Sequence, residues 1–402
     1  MKMRMVHIVH DTTVSYSHAI ASLAATLERD VPSAEVDLVT VRTDDVALNV
    51  RILLDQDSDF LLFSSMSNQW QYACRLASEI RSLEDRPCLV VGGSHVIASP
   101  SSAASSPFDI AVYGEGEEIL ADLVRKPRRL DRCEVVNGPI VQDLATLAMP
   151  QLSIFNTEDI LAYPSVMFSR GCPYKCNYCM SRLGGLGSKV RWKSPQRAIS
   201  EVTQLIHTSH TQEVYIDDDT FLKNPAWVRD FCDYYAKAVK TPFFCNARPE
   251  TVKRDICQEL AAAGCAAVGI GIESGSERIR RDVLNRRMSD DKILQAFELV
   301  HAAGMKTWSF NMVGIPGETP DDLLATIALN DRVKTEYVRV SVYTPYPGTP
   351  LYRETDEYLY ANGYIQPSIA LNTEMQDIYA RWLQKLAEEG RLWFTRSEAA
   401  LL

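Results

Sequence analysis

The second half of the chain repeats one unit, an apolar strand followed by a helical pattern, six times. The strand segments are PSVMFSR, EVYIDDD, PFFCNAR, AAVGIGIES, KTWSFNMVG and EYVRVSVYTPY. Several helix starts are well marked, because Ser194 and Asn224 each precede a proline, and Thr319 with Asp322 resembles a capping box. Six such units with short loops predict a parallel sheet curved into a full or partial barrel. In that architecture the reactive groups lie where each strand ends.

The first part of the chain has a different pattern of short apolar runs and helical segments. Five runs rich in Val, Ile and Leu indicate buried parallel strands: RMVHIVH, AEVDLVT, DFLLFSS, CLVVGGS and DIAVYGE. This α/β pattern predicts a doubly wound Rossmann-like domain over residues 1–125, whose ligands bind outside the carboxyl ends of the strands. We expect a connector over 126–160, a barrel over 161–352 and a short helical C-terminal tail over 353–402.

Composition excludes several classes of protein. The 402 residues are 46% hydrophobic, which is enough for two domains with their own cores. A net charge of −10 offers no broad basic surface, so we expect no nucleic-acid partner. No segment approaches a membrane span, and the first residues, MKMRMVHIVHD, lack a signal-peptide core. These features predict a cytoplasmic protein without a membrane partner.

Three of the ten cysteines, Cys172, Cys176 and Cys179, stand within the segment RGCPYKCNYCMS, directly after the first barrel strand. A disulfide would leave one of them over, and a structural zinc site needs a fourth ligand that does not lie nearby. Cysteine thiolates also hold iron–sulfur clusters, and three of them leave one iron of a four-iron cluster open for chemistry. The other seven cysteines are scattered in apolar patterns and are interpreted as buried hydrophobic residues.

The spacing Cys172-x3-Cys176-x2-Cys179, with Tyr178 before the last cysteine, resembles the signature of the radical S-adenosylmethionine (SAM) superfamily. The resemblance implies a partial (βα)6 TIM-like barrel and a [4Fe–4S] cluster on the three cysteines. It implies that an electron from an external donor, such as a flavodoxin or ferredoxin, cleaves SAM. The resulting 5′-deoxyadenosyl radical would then abstract hydrogen from a small-molecule substrate.

The ends of the later barrel strands resemble the SAM-binding elements of the superfamily. The resemblance places the SAM amino group at the three aspartates of IDDDTF, without indicating which one, the carboxylate at CNARPE, the ribose at GIGIES and the adenine at VGIPGE. Helix capping, a surface ion pair and turn geometry are the structural alternatives. The implied SAM contacts are Tyr178, Asp217, Asp218, Asp219, Arg248, Glu273, Ser274, Gly314, Ile315 and Pro316.

Residues 1–125 resemble the cobalamin-binding module that precedes this barrel in a subgroup of the superfamily. The resemblance lies in FSSMSNQW, VVGGSHVIASP and DIAVYGEGEE, and it implies cobalamin contacts at Ser64, Ser65, Trp70, Gly92 and Gly93. HDTTVSYSHAI departs from the Asp-x-His-x-x-Gly pattern whose histidine ligates cobalt. The function implied is cobalamin-dependent methylation of an unactivated carbon.

Other functions remain open on the sequence alone. A radical SAM enzyme without bound cobalamin would catalyse elimination, rearrangement, epimerisation or sulfur insertion on a small metabolite. A tRNA-modifying enzyme shares the barrel, but the acidic balance and the short tail argue against it. A non-catalytic metal-binding protein would explain the cysteines and leave the other strand ends unexplained.

Overall fold

The computed structural model describes residues 1–9, 16–43, 45–185, 189–353 and 371–392. Two six-stranded sheets dominate this part of the chain, and every strand pairing within them is parallel. The α/β fold class predicted from the sequence is confirmed. The boundaries proposed at residues 125, 160 and 352 stay predictions.

The N-terminal sheet has the order β2-β1-β3-β4-β5-β6. Its strands are β1 (Lys2–Val9), β2 (Glu35–Arg42), β3 (Phe60–Ser64), β4 (Cys88–Gly92), β5 (Ile110–Gly114) and β6 (Glu134–Gly138). The helices are α1 (His18–Asp30), α2 (Val46–Leu53), α3 (Trp70–Arg81), α4 (Ser94–Ala98), α5 (Pro100–Ala104) and α6 (Leu120–Leu123). Alternate strand residues such as Leu61 and Leu62 pack into separate clusters on the two faces, as a doubly wound sheet requires.

Strand β6 lies in the segment that the sequence analysis treated as a connector. It pairs with β5 in parallel, with Ile110 opposite Glu134 and Gly114 opposite Gly138. As the edge strand it has three exposed side chains, Glu134, Val135 and Asn137. It therefore lacks the continuous apolar run by which buried parallel strands are recognised.

The second sheet has the order β14-β13-β12-β11-β10-β7, and its two edge strands do not pair with each other in the described chain. Its strands are β7 (Ser165–Val166), β10 (Val214–Ile216), β11 (Phe243–Ala247), β12 (Cys265–Glu273), β13 (Lys306–Val313) and β14 (Tyr337–Val342). The helices of this half are α7 (Thr157–Ala162), α8 (Pro195–Ser209), α9 (Pro225–Ala238), α10 (Arg254–Ala262), α11 (Asp290–Ala302) and α12 (Pro320–Arg332). This is a partial barrel of six βα units, as the sequence predicts.

The predicted caps form and fix where three of these helices begin. Ser194 Oγ accepts from Arg197 N at 3.2 Å, and Asn224 accepts from the third helical N–H in the same way. Thr319 and Asp322 accept from each other's backbone N–H at 3.3 and 2.9 Å, so the capping box is confirmed with aspartate as its acid. Asn224 ends the loop after β10 and Thr319 the loop after β13, and both of these loops carry predicted SAM contacts.

The first barrel strand is split. The sequence analysis treats PSVMFSR as one strand, whereas the structure has β7 and then β8 (Ser169–Arg170), which pairs antiparallel with β9 (Arg191–Trp192). The break occurs where the backbone N–H of Phe168 donates to the carboxylate of Asp218 rather than to the backbone of a neighbouring strand. This turn directs the following residues, including the cysteines, across the end of the barrel.

The described part of the predicted tail contains α13 (Thr373–Glu388), and the remainder lies outside the described residues. Trp382 and Leu386 of α13 pack with Val338 of β14 in a small separate core. Among the described residues, no helix has the length and apolar composition needed to cross a bilayer.

Candidate active site

Cys172, Cys176 and Cys179 lie in one loop that begins directly after β8. Cys176 is buried, the other two are partly exposed, and all three are free thiols. Burial raises the pKa of the Cys172 thiol to about 11, and the nearby Asp219, Cys179 and Cys176 add to the rise. Within the described residues, no three His, Cys, Asp or Glu side chains gather closely enough to hold a single metal ion. The three thiols are therefore close neighbours, but they do not surround a single metal-ion position.

The segment after β12 anchors the cysteine loop from across the barrel end. Asn177 donates through its backbone to Leu284 O at 3.0 Å and through its side chain to Val283 O at 2.9 Å. These acceptors belong to a π-helical turn, Ile279–Val283, and to the residue after it. Such turns occur frequently at functional sites, and this one fixes the loop between the second and third cysteines.

Asp218 is directed into the protein and holds the segment that leads to the cysteines. Its carboxylate accepts from Phe168 N at 3.1 Å, from Ser169 N at 2.5 Å and from the Ser169 hydroxyl. The residue is 1% exposed, and burial raises the pKa of its carboxyl to about 7. Its hydrogen bonds are therefore committed to the fold.

The two neighbouring aspartates point to other partners. Asp217 accepts from the Tyr163 hydroxyl at 3.3 Å, and burial raises the pKa of its carboxyl to about 6. Asp219 accepts from Ser181 Oγ at 2.8 Å, lines the large cavity described below and is exposed within it. Of the three aspartates, Asp219 is thus the one that a cavity ligand can reach on the side of the cysteines.

Arg248 follows β11 and lies against the cysteine loop. Its Nη1 donates to Cys176 Sγ at 3.1 Å and its Nη2 to Glu250 Oε1 at 2.9 Å. The guanidinium carbon lies 3.8 Å from the centre of the Tyr174 ring, a close cation–π contact. The buried Nε has no hydrogen-bond partner among the described residues.

A second guanidinium, that of Arg286, lies behind the first and was not identified from the sequence. Its Nη2 donates to Gly271 O at 2.6 Å, and its Nη1 lies 3.3 Å from the Tyr178 hydroxyl and 3.5 Å from Glu273 Oε1. Arg286 is 3% exposed, whereas the next residue, Arg287, is exposed. Two adjacent arginines look alike in a sequence, so no local signal identified the buried one.

The end of β12 has an unusual backbone that brings Glu273 to this arginine. Glu273 has φ +68°, a conformation that costs energy for any residue with a side chain, and the pairing with β13 shifts register at this point. A Cβ on Gly271 would lie 2.6 Å from Glu273 Oε1 and 3.1 Å from an Arg286 nitrogen, so the glycine leaves room for this ion pair. Strain at a strand end is typical of functional sites.

The remaining predicted SAM contacts form closed turns at the ends of β12 and β13. Ser274 is fully buried, and its hydroxyl accepts from Ser276 N at 3.2 Å. Gly314 N and Ile315 N both donate to Glu318 Oε2, at 2.7 and 3.3 Å, while the buried Oε1 has no partner among the described residues. Ile315 also packs with Tyr178, and Pro316 is partly exposed. Burial raises the pKa of the Glu318 carboxyl to about 7.

A cavity of about 510 Å³ lies between the N-terminal sheet and the barrel. Its wall on the N-terminal side includes Ser64, Gly92 and Gly93 at the carboxyl ends of β3 and β4, together with apolar strand side chains such as Val90 and Val112. Its wall on the barrel side includes Arg170, Gly171, Met180 and Asp219, which adjoin the cysteine loop. One space therefore connects the two sheet ends.

The other two predicted cobalamin contacts do not line this cavity. Ser65 is 1% exposed, and Trp70 stacks on the His95 ring with 4.3 Å between the ring centres. A Cβ on Gly93, which has φ +101°, would lie 2.7 Å from the backbone N and O of Ser65. The glycine is thus required by the packing of the loops after β3 and β4 as well as by its backbone conformation.

Buried ion pairs join the two halves at the cavity wall. Arg191 forms a fork with Glu115 at 2.7 and 2.8 Å, and Arg170 binds Glu117 at 2.6 Å, with Ser22 donating to the same carboxylate at 2.8 Å. Burial alone would raise the pKa of the Glu117 carboxyl, but the Arg170 charge outweighs it and holds that pKa below its usual value. Arg170 stands two residues before Cys172, so the pair ties the cysteine loop to the N-terminal domain.

Residues 166–330 match the Radical SAM superfamily. An uncharacterised methyltransferase of Pyrococcus horikoshii is 26% identical over 337 residues, which cover 78% of this chain and 72% of that protein. The anaerobic magnesium-protoporphyrin IX monomethyl ester cyclase of Cereibacter sphaeroides is 26% identical over 61% of this chain and 44% of the cyclase.

A solved structure shares the fold over both halves. The radical SAM methyltransferase TsrM of Kitasatospora setae, solved with cobalamin and a [4Fe–4S] cluster bound, matches with a TM-score of 0.66 and 15% identity, over 87% of this chain and 76% of TsrM. The region that matches the radical SAM superfamily, residues 166–330, includes the three cysteines of the loop after β8, four complete barrel strands and the end of a fifth.

Proposed function

We propose that the protein is a cobalamin-dependent radical SAM enzyme that methylates an unactivated carbon of a small-molecule substrate. The observation that carries the proposal is the cavity of about 510 Å³ that joins the N-terminal strand ends to the cysteine loop. A cofactor on the N-terminal sheet would face the radical SAM site across this space. Group transfer requires such proximity, because donor and acceptor must meet in one enclosed site.

The cysteine loop fits a [4Fe–4S] cluster. Its three thiols are free and neighbouring, and three cysteines are one ligand short of a structural zinc site but leave one iron of a four-iron cluster open for SAM. When bound, the cluster would supply an electron to SAM, and SAM would supply the 5′-deoxyadenosyl radical. The chain's own contribution is to hold the thiolates and to face Cys176 with a guanidinium, Arg248.

Several polar groups near the cysteine loop lack a protein partner in the described structure and suit the charged groups of SAM. Asp219 is accessible from the cavity and suits the ammonium group, whereas Asp217 and Asp218 are engaged by Tyr163 and by the segment before the cysteines. The free Nε atoms of Arg248 and Arg286 suit a carboxylate. Ser274 is buried, so we expect it to contribute through its backbone.

The adenine side of the SAM site would be formed by the turn after β13. Gly314, Ile315 and Pro316 present backbone there, and Glu318 Oε1 is a buried acceptor without a partner. Tyr178, from the cysteine loop, packs against the small apolar cluster that contains Ile315. The arrangement suits a flat ring with an exocyclic amino group.

The N-terminal wall of the cavity suits part of a cobalamin. Ser64 offers a hydroxyl, Gly92 and Gly93 allow close approach, and Val90 and Val112 provide an apolar surface behind them. Ser65 and Trp70 support this wall from behind rather than lining it. TsrM, which shares the fold over both domains, has cobalamin bound in its solved structure.

A second function is favoured by one observation. The Cereibacter relative is named a cyclase rather than a methyltransferase, so a radical SAM enzyme of another reaction type is the alternative, with elimination, rearrangement, epimerisation or sulfur insertion on a small metabolite as its chemistry. In either case we propose an external electron donor, such as a flavodoxin or ferredoxin, and a cytoplasmic location.

The decisive experiment is anaerobic reconstitution with iron, sulfide and hydroxocobalamin, followed by incubation with SAM and a reductant. We expect about one cobalt and four iron per chain, a bound corrin spectrum, and both 5′-deoxyadenosine and S-adenosylhomocysteine as products. Gly92→Leu is the matched variant, since Gly92 lines the cavity and a Cβ there meets nothing nearer than Val112 at 3.8 Å, so we expect the larger side chain to fill part of the cavity. It should lose the corrin and keep the cluster.

The outcomes separate the two functions. The protein could hold a cluster and form 5′-deoxyadenosine, yet bind no corrin and form no S-adenosylhomocysteine. That result would rule out methyl transfer in favour of the alternative function. Normal corrin binding by Gly92→Leu would contradict the proposed position of cobalamin in the cavity.

A further inference from the structure

The guanidinium of Arg248 already makes three contacts with other residues of the protein. One terminal nitrogen donates to Cys176 Sγ at 3.1 Å, the other to Glu250 at 2.9 Å, and the plane lies 3.8 Å from the centre of the Tyr174 ring. Its side chain is 11% exposed. An arginine held on three sides in this way is a fixed donor to one particular sulfur.

The three cysteines have different electrostatic surroundings. Cys176 is the most buried, and the charges of both Arg248 and Arg286 act on it. Cys172 and Cys179 instead lie near the carboxylate of Asp219. Positive charge is therefore concentrated at one corner of the cysteine loop.

We propose that Arg248 is a positioning residue that raises the reduction potential of the cluster through its hydrogen bond to Cys176. The inference rests on the proposed cluster and goes beyond SAM binding. One-electron reduction of [4Fe–4S]²⁺ to [4Fe–4S]⁺ by the proposed external donor would break no bond and would add one negative charge to the cluster. A buried donor and cation stabilise the reduced form more than the oxidised one, because hydrogen bonds to cluster sulfurs and local charge set the potential.

Tyr174 and Glu250 have defined parts in this arrangement. Tyr174 lies within the cysteine loop, so its contact with the guanidinium ties the donor to the loop that carries its acceptor. Glu250 Oε1 holds the second terminal nitrogen, which leaves Nη1 aimed at Cys176. Arg286, anchored on Gly271 O, contributes charge behind this pair without a hydrogen bond to the sulfur.

The test is a redox titration of the reconstituted cluster, without SAM, with dithionite as electron donor and electron paramagnetic resonance as readout. In R248Q we expect the ratio of reduced to oxidised cluster at a fixed potential to fall at least tenfold. For a one-electron couple this equals a midpoint potential about 59 mV lower than that of the wild type. R248K keeps the charge but loses the planar fork, and should fall between R248Q and the wild type. The matched control is R229Q, which removes an arginine from an exposed ion pair with Asp255 on the barrel surface.

A second measurement needs no substitution. Wild-type protein labelled with ¹⁵N-arginine should show a ¹⁵N coupling to the reduced cluster in pulsed electron paramagnetic resonance without SAM, and R248K should lose it. An R248Q potential equal to that of wild type, a shift that appears only after SAM is added, or no ¹⁵N coupling would each overturn the proposal. The lack of any cluster signal in wild-type protein would instead overturn the cluster assignment and this inference with it.

Discussion

The two parallel sheets end at the same cavity but present different groups to it. The N-terminal strands end in Ser64, Gly92 and Gly93, which offer a hydroxyl and accessible backbone. The barrel strands end in cysteines, buried carboxylates and guanidiniums such as Arg248 and Arg286. The N-terminal end is thus suited to binding by shape, and the barrel end to holding charged reactive groups.

The charged groups at the barrel end divide into those that hold the fold and those that remain available. Asp218 has its hydrogen bonds committed to backbone, whereas Asp219, one residue later, is open to the cavity. Arg248 and Arg286 each keep one nitrogen without a partner in the described structure. Substitutions at neighbouring positions should therefore have very different consequences.

The largest expected effect is at the cysteines. Alanine at Cys172, Cys176 or Cys179 should abolish SAM cleavage, because each removes a thiolate ligand of the cluster. The thermal unfolding of the protein without its cluster should change little, since the loop lies outside the main cores. Iron content and 5′-deoxyadenosine formation measure the loss, with Cys74→Ala on α3 as the matched control. Continued 5′-deoxyadenosine formation by all three variants would show that the assignment is wrong.

The next effect separates the two adjacent aspartates. Asp218→Ala should lower the free energy of unfolding by about 3 kcal/mol, since it leaves the buried N–H groups of Phe168 and Ser169 without an acceptor. Asp219→Ala is the control and should be near neutral. Urea denaturation of both variants measures the difference, and equal stabilities would contradict a structural role of Asp218.

The ion pair between Arg170 and Glu117, which joins the two halves, should contribute less to the free energy of unfolding. Glu117→Gln should lower the free energy of unfolding at pH 7 by about 2 kcal/mol, because the Arg170 charge loses its nearer carboxylate and keeps only Glu115, at 3.5 Å. Since Arg170 holds the pKa of Glu117 below its usual value, this contribution is fully present above the unfolded-chain pKa of about 4.3 and is lost progressively as the pH falls from there through the lower folded-state pKa.

Urea denaturation at pH 7 and pH 3 tests this sign. The wild type should lose more stability than Glu117→Gln on acidification, and the exposed neighbour variant Glu118→Gln should behave as the wild type does. A larger acid loss in Glu117→Gln than in the wild type would contradict the ion-pair account.

The smallest effect concerns SAM affinity alone. Asp219→Asn should weaken SAM binding by about 1–2 kcal/mol, the size of one charge-assisted hydrogen bond, without changing the free energy of unfolding. Asp217→Asn, whose partner is Tyr163, should weaken it less. Anaerobic equilibrium dialysis measures both. The reverse ranking would move the ammonium contact to Asp217.

Much of the fold was predictable because its signals are local. Apolar runs between capped helices identify the barrel strands, and Ser194 and Thr319 form the predicted caps. β6 was missed because an edge strand with exposed side chains has no such run. The split of the first barrel strand depends on Asp218, which lies about 50 residues away along the chain.

The candidate site was predictable in part. The cysteine spacing pointed to the superfamily that residues 166–330 match, while the individual SAM and cobalamin contacts stay predictions. The structure divides those contacts, because Asp219, Ser64, Gly92 and Gly93 line the cavity and Trp70 stacks on His95 behind it. The sequence could not distinguish Arg286 from Arg287, because tertiary packing alone buries the first and leaves the second exposed.

The sequence by itself determined the alternation of strands and helices, the spacing of the three cysteines and the aspartate, arginine and glycine residues at the strand ends. Periodicity and spacing are properties of neighbouring residues, so they can be read along the chain. The tertiary structure alone decided that Arg248 donates to Cys176, that Arg170 binds Glu117 and that both sheets open into one cavity. These contacts join residues that lie 53 or more positions apart, and distance in space between such residues is set by the packing of the whole fold.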